Sequence, residues 1–317
     1  MSNFGNKTID LFAGIGGVRI GFERAGFQTV FANDFEPKCK LTYDLNFDEP
    51  KLLIEDIRNI SPDTLPDFNF LLGGFPCQAF SIAGHRQGFD DEKDRGNLFF
   101  YIAKILETKK PDGFFLENVK NLCSHDNGRT FQIIASVLND LGYHLNYKVL
   151  NTMEYGNVPQ NRERIYIVGF KDVERANKFR FPNPKHLTVT VKDLLEPVVD
   201  AKYYYENKPL YEKIKNDVND ENKIYQWRRV YVRENKKNVC PTLTANMGTG
   251  GHNVPIIRDS VGIRKLTPWE CLRMQGFPDT YKLPKLNSDG PLYTQAGNSV
   301  SVPVIESIAR EIAKVCM

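Results

Sequence analysis

The residue best equipped for chemistry is Cys77, because of what precedes it. Phe70-Leu71-Leu72 reads as a buried strand, and Gly73-Gly74-Phe75-Pro76 leads from it directly to the thiol. That puts Cys77 at the sheet edge where α/β proteins bind ligands, on a loop of the kind that carries chemistry more often than packing. A thiolate is the strongest side-chain nucleophile near neutral pH. The competing reading is an inert buried thiol, the usual state of a free cysteine. A cysteine hydrolase would need a histidine base, yet His85, His125 and His144 stand in no convincing motif. The next strand, Gly113 to Leu116, ends instead in Glu117-Asn118-Val119. A carboxylate rather than an imidazole is therefore expected to face the thiol.

A second constellation lies at the start of the chain. Thr8-Ile9-Asp10-Leu11-Phe12 reads as a strand and Gly14-Ile15-Gly16-Gly17 as the turn after it. Glycines there let backbone approach a ligand closely. A dinucleotide fingerprint needs a third glycine three residues after Gly16, and Arg19 occupies that place. Asp34 closes the second strand, where an acid can hold ribose hydroxyls. Asp56, followed by Ile57, suits an adenine amino group. Together these favour a nucleoside site over a purely structural turn. The absence of a Gly-x4-Gly-Lys-Ser/Thr sequence argues against ATP.

These residues need a scaffold, and the first 170 residues supply one. Strands are expected at Thr8–Phe12, Gln28–Ala32, Phe70–Leu72, Gly113–Leu116, Tyr147–Leu150 and Arg164–Phe170. Between them, helical patterns run from Val18 to Ala25 and from Asn97 to Lys109, and another carries Phe131, Ile134, Leu138 and Leu141. The β-α-β order implies an α/β fold with a mostly parallel sheet and helices on both faces. The pattern changes at Phe181-Pro182-Asn183-Pro184. From there to about Pro284 the chain is rich in Tyr, Asn, Lys, Arg and turns, as in a smaller, loop-rich domain. Val304 to Cys316 returns to helix and is expected to pack on the first domain.

Composition narrows the class. The chain has 317 residues, 41% of them hydrophobic, which suits one large and one small domain. The N-terminus lacks a signal-peptide pattern and no window approaches eighteen apolar residues, so a soluble cytoplasmic protein with no membrane partner is expected. Six cysteines without a CxxC pair, beside five histidines, make a metal site unexpected. The net charge of +3 decides little, but Glu221 to Arg273 holds ten Lys/Arg against four Asp/Glu, a local net of +6 (10 − 4). That stretch is either a solvated face or a surface for a polyanion such as nucleic acid.

Taken in order, these motifs resemble the bacterial DNA cytosine-5 methyltransferases of restriction–modification systems. Asp10-Leu11-Phe12-Ala13-Gly14-Ile15-Gly16-Gly17 is similar to the family's opening motif, and Gly74-Phe75-Pro76-Cys77-Gln78-Ala79-Phe80-Ser81 to its nucleophile motif. Arg95-Gly96-Asn97-Leu98-Phe99, Glu117-Asn118-Val119 and Gln160-Asn161-Arg162-Glu163-Arg164 follow. Arg264-Lys265-Leu266-Thr267-Pro268, Gln275-Gly276-Phe277-Pro278 and Gly297-Asn298-Ser299-Val300 complete the set, which spans almost the whole chain.

The resemblance implies a Rossmann-like domain dependent on S-adenosylmethionine, covering 1–180 and completed by 295–317. A target-recognition domain would cover 181–294. It implies Cys77 as covalent nucleophile on cytosine carbon 6, Glu117 at N3, and Arg162 and Arg164 near O2 and the thiol. The donor would be held by Phe12, Ile15, Gly17, Asp34, Phe35, Asp56, Ile57, Pro76, Leu98, Asn298 and Val300, with Phe12 stacked on adenine. The target would be a cytosine flipped out of double-stranded DNA, with the polar loop Ser81 to Arg95 closing over it. Thr242 and Leu243 resemble the family's threonine-leucine recognition loop. Arg228, Arg229 and Arg233 would contact guanine edges or phosphates, which sequence alone does not separate. A monomer acting beside a cognate restriction endonuclease is the expected setting. Two departures stand out: Asp34 where Glu is common, and Glu55 where Gly is common.

Three rival readings are weaker. A transfer-RNA branch of the same fold shares the Pro-Cys and Glu-Asn-Val motifs, but the long recognition segment favours DNA. A non-catalytic DNA-binding repressor would not need Cys77, Glu117 and Arg162 intact. An NAD-linked thiol enzyme lacks the third glycine.

Overall fold

Runs of β-branched and aromatic residues build the first sheet. In the computed structural model, which describes residues 5–76, 98–250 and 253–316, seven strands form it. They are β1 (Lys7–Leu11), β2 (Gln28–Asp34), β3 (Leu53–Ile54), β4 (Phe70–Gly73), β5 (Gly113–Val119), β6 (His144–Asn151) and β7 (Glu163–Phe170). Their order across the sheet is β3-β2-β1-β4-β5-β7-β6. The pairs from β3 through β5 are parallel, whereas β7 runs antiparallel to β5. The chain thus leaves β1 toward one edge and β4 toward the other, which makes the β1/β4 boundary the topological switch point where such sheets bind ligands.

The period-two pleat sends alternate residues to opposite faces. Ile9, Leu11, Leu71, Phe114 and Leu116 join a core with Phe99, Ile102, Ala103 and Leu106 of one helix and Ile134, Val137 and Leu138 of another. On the other face Phe22 packs edge-on against Phe115, with ring centroids 5.2 Å apart, and Phe70 meets Phe170. The helices in chain order are α1 (Gly17–Arg24), α2 (Pro37–Asn46), α3 (Leu98–Lys109), α4 (Arg129–Asp140), α5 (Thr152–Tyr155), α6 (Val173–Lys178), α7 (Tyr211–Ile214), α8 (Pro268–Arg273), α9 (Gly290–Asn298) and α10 (Val302–Cys316). Gly21 of α1 lies so close to α10 that a Cβ there would sit 2.6 Å from the Ile305 side chain. Glycine is what lets these two helices approach, and an Arg24–Glu306 ion pair at 3.3 Å flanks the contact.

Two compact units result. The first contains Met1–Leu150, Glu163–Pro182 and Ile305–Met317; the second contains Asn151–Arg162 and Asn183–Val304. Relative to the expected division at 180/181 and 294/295, the segments 151–162 and 295–304 group with the second unit.

The second unit is built on a four-stranded antiparallel sheet of β8 (Ile224–Trp227), β9 (Val232–Glu234), β10 (Ile256–Arg258) and β11 (Ile263–Lys265), in the order β11-β10-β8-β9. Tyr205, Ile214, Val218, Tyr225, Ile256 and Ile263 form its core. Beside that core, the buried Arg264 guanidinium meets Glu270 twice, at 2.8 and 2.9 Å, and Asp259 at 2.5 Å. Glu270 also closes a capping box with Thr267 at the start of α8. The ion network thereby ties the β10–β11 hairpin to that helix. No helix among the described residues is long and apolar enough to cross a membrane.

Candidate active site

Sheet register explains how the first unit assembles its carboxylate. In the antiparallel β5–β7 ladder Glu117 lies opposite Tyr166 and Val119 opposite Arg164. Arg164 is therefore the diagonal neighbour of Glu117 on the same face. Its Nε stands 3.1 Å from Glu117 Oε1, and both side chains are largely buried. One strand over, the Gly74-Phe75-Pro76 turn leaves β4 beside this pair: a Cβ on Gly74 would lie 3.8 Å from Glu117 Oε2. Asn118 Nδ2 donates to Phe75 O at 2.9 Å and pins that turn to β5. In the sequence Asn118 stands in the Glu-Asn-Val motif, where nothing signals this bond. Pro76 is exposed, and Cys77, the next residue, lies outside the described residues together with Ser81 and the loop through Arg95.

The other half of the first unit's strand ends holds the expected donor residues. Gly14 and Gly16 take left-handed φ values of 55° and 81°, and open space surrounds the place where a Gly14 Cβ would stand. Phe12 also has φ 56°, an uncommon conformation for a bulky residue and one that concentrates at functional sites. Asp34 Oδ2 accepts the Gly14 N–H at 2.7 Å, and Oδ1 accepts the Glu36 N–H at 2.8 Å. Burial raises the Asp34 carboxyl above its ordinary value, against the pull of those two N–H groups. Each carboxylate oxygen still has acceptor capacity. Phe35, beside it, is 67% exposed.

Pairing of Asp34 with Ile54 brings β3 alongside, and Asn33 Nδ2 bonds the Leu53 and Glu55 carbonyls to hold it. Asp56 follows, but its carboxylate is already engaged. Arg58 donates to it from the backbone N–H at 2.9 Å and from Nε at 2.9 and 3.0 Å, and these bonds pull the Asp56 carboxyl below its ordinary value. An adenine amino group would share Asp56 with Arg58, a partner not legible in the sequence. Glu55, the residue departing from the family pattern, accepts from the Asp56 N–H and from Asn59 Nδ2. Ile15, Gly17 and Ile57 are buried, and Leu98 opens α3.

Beneath the glycine turn, Asp10 is fully buried on β1, and neither carboxylate oxygen makes a hydrogen bond of ordinary geometry. Burial pushes its carboxyl up to about 8, only partly opposed by the charge and backbone N–H of Arg19. Arg19, standing where a dinucleotide fold has its third glycine, is itself buried. It bonds Tyr43 Oη, the Pro50 and Glu49 carbonyls and Glu23, and lies over the Phe47 ring at 4.2 Å.

The remaining expected residues belong to the second unit, and there the structure alters two readings. Arg162 is only 3% exposed. Its guanidinium donates to the carbonyls of Leu243 at 2.9 Å and Ser299 at 2.5 Å, with Gly297 O at 3.4 Å. It acts first as a clamp on the backbone of the Thr242-Leu243 loop and the end of α9. Leu243 was expected at a DNA-facing loop; its side chain is buried, and its carbonyl is the one that Arg162 holds. Thr242 Oγ1 donates to Asn161 O at 2.7 Å. A Cβ on Gly297 would strike the Thr244 carbonyl group, so glycine is needed for that loop to lie against α9. Asn298 is exposed and Val300 buried. On the β8–β9 hairpin Arg228, Arg229 and Arg233 are all exposed. Among the described residues no group of three or more His, Cys, Asp or Glu side chains could hold a metal.

The family described as C-5 cytosine-specific DNA methylase matches residues 6–314. Type II methyltransferase M.Bsp6I of Bacillus sp. is 54% identical over 97% of this chain and 98% of its own length. Type II methyltransferase M.HhaI of Haemophilus parahaemolyticus is 40% identical over 97% and 94%. Among solved structures, a Spodoptera frugiperda DNMT2 mutant superposes with a TM-score of 0.75 at 22% identity, covering 97% of this chain and 99% of its own, a likeness of fold.

Proposed function

Because the chain belongs to the C-5 cytosine-specific DNA methylase family, and so is a DNA cytosine-5-methyltransferase that uses S-adenosylmethionine, we propose that Cys77 is the covalent nucleophile of its reaction. The observation that carries this reading is the Glu117–Arg164 pair beside the pinned Gly74-Phe75-Pro76 turn, whose next residue is the thiol. The Cys77 thiolate adds to carbon 6 of a cytosine flipped from the duplex. The new C–S bond pushes an electron pair toward carbon 5, turning a poor nucleophile into an enamine carbon. Glu117 meets the charge that develops at N3 by a hydrogen bond or a proton, and Arg164 fixes the direction in which that carboxyl points. S-adenosylmethionine supplies an electrophilic methyl group when bound. A general base then takes the proton from the methylated carbon 5, and the freed electron pair re-forms the C5–C6 double bond and expels the Cys77 thiolate.

For the donor, the open glycine turn, the Asp34 carboxylate at the end of β2 and the exposed Phe35 ring form a fitting cradle. Phe12, Ile15, Gly17, Asp56, Ile57, Pro76, Leu98, Asn298 and Val300 complete the proposed set. The relatives' name, Type II methyltransferase, supports a restriction–modification setting, in which the enzyme, acting as a monomer in the bacterial cytoplasm, would protect host DNA against a cognate endonuclease.

A duplex carrying 5-fluorocytosine tests the mechanism, because fluorine cannot leave as the proton does. The wild type is expected to form a denaturation-stable complex with it and Cys77→Ala none, while the variant still binds duplex DNA. Full turnover by Cys77→Ala would refute the covalent step. Glu117→Gln is expected to slow single-turnover methylation by about 100-fold or more while donor affinity stays unchanged.

A further inference from the structure

The β8–β9 hairpin separates three arginines that sequence alone left equivalent. Trp227 pairs with Val232 and Gln226 with Arg233. Tyr225, Trp227 and Val232 pack on the core of the second unit. By the alternation of the pleat, Gln226, Arg228, Tyr231 and Arg233 then share the opposite face. Arg228 N–H bonds Tyr231 O at 2.9 Å to close the turn, leaving Arg229 and Val230 at its tip. Arg229 has φ 69° and Val230 is 86% exposed. β9 is the outer strand of its sheet, so this hairpin is a two-stranded ribbon with one solvent face. A ribbon of that width is a shape the major groove of DNA admits.

The guanidinium groups differ in how they are held. Arg233 Nη2 donates both to Gln226 Oε1 and to Asn235 Oδ1, the latter at 3.3 Å, and Asn235 is buried at the base of the ribbon. Arg233 Nη1 has no acceptor among the described residues and so keeps its donor capacity on an exposed side chain. Among the described residues neither the Arg228 nor the Arg229 guanidinium has a side-chain or backbone acceptor. A braced arginine loses little further freedom when it meets a base edge and cannot swing to follow a neighbouring phosphate. An unbraced arginine at a turn suits the mobile, sequence-blind phosphate contact.

We infer that Arg233 is the base-reading arginine of this ribbon, donating to guanine O6 or N7 in the major groove, that Gln226 and Asn235 are its positioning residues, and that Arg228 and Arg229 contact phosphates. This rests on the reading of the chain as a methyltransferase of duplex DNA.

The test measures methylation by wild type, Arg233→Ala, Gln226→Leu, Gln226→Glu and Arg229→Ala on a randomised duplex library, together with the salt dependence of duplex binding. Arg233→Ala and Gln226→Leu are both expected to relax preference at the same G·C pair by about 10-fold. Gln226→Glu keeps an acceptor for Arg233 and is expected to retain the preference. Arg229→Ala is expected to weaken binding to all sequences alike and to lower the log–log salt slope by about one. The assignment is overturned if Arg233→Ala weakens all sequences equally, or if Gln226→Leu keeps the full preference while Arg233→Ala loses it. Methylation of no duplex by the wild type would overturn the underlying reading as well, which separates the two failures.

Discussion

Two side chains at the sheet's ligand edge carry consequences that can be measured. Asp10 is held neutral over a wide range, because burial lifts its carboxyl from an ordinary 3.8 to about 8. The unfolded chain ionises this group from about pH 4, and the folded chain only near 8. The folded state therefore binds the extra proton between those values, and stability falls as pH rises through that window. Asp10→Asn removes the titration at nearly constant shape. Its stability in urea is expected to be flatter from pH 5 to 9 than that of the wild type, with an advantage of a few kcal/mol at the alkaline end; parallel curves for the two proteins would refute this. Arg164 offers a second test. Arg164→Ala leaves Glu117 without its 3.1 Å partner, and the single-turnover rate is expected to fall by about 10-fold or more. Arg164→Lys should recover part of the loss, with donor affinity unchanged throughout, as followed by rapid quench and donor titration.

Whole elements show what sequence periodicity conveys and what it omits. The helices expected at Val18–Ala25 and Asn97–Lys109, and the one closed by Gly142, appear as α1, α3 and α4, because each has enough turns for an apolar stripe to register. β3 has two residues and β8 to β11 three or four, too few to establish a period, so the second unit looked like loop. The direction of β7 was equally hidden, since a strand reads the same whether its neighbour is parallel or antiparallel. Yet that direction is what sets Arg164 diagonal to Glu117. The Arg264 network was hidden for another reason: three charges spread over Asp259 to Glu270 look like solvated surface until burial is known. Removing one member of a buried ion network strands the others, at about 3–5 kcal/mol. Arg264→Ala is expected to destabilise the second unit by that amount in urea. Both tryptophans, Trp227 and Trp269, belong to this unit and report on it directly by fluorescence.

At the scale of the molecule, the thiols set up a selective labelling experiment. Cys39, Cys240, Cys271 and Cys316 are buried, and burial pushes the thiols of these four and of half-buried Cys123 above their ordinary value, Cys316 to about 12. Iodoacetamide at neutral pH is therefore expected to modify Cys77 first in the native protein, with activity lost in step, as peptide mapping would reveal. Labelling of Cys123 first with activity retained would count against it. The candidate site was legible as a set of expectations because chemistry demands particular side chains at particular strand ends. The engagement of Arg162 was not, because the Leu243, Gly297 and Ser299 groups that accept from it are peptide carbonyls, which every residue type possesses. That indifference bears on inheritance. The chain crosses between its two units at 150/151, 162/163, 182/183 and 304/305, so residues 183–304 are inserted between stretches of the first unit rather than appended. The bonds from Arg162 to Leu243 O and Ser299 O involve main chain, so exchanging either side chain leaves those acceptors in place. On the proposed reading, sequence exchange confined to 183–241 leaves that grip and the donor residues Asn298 and Val300 in place, and is expected to change the target site while methyl transfer persists.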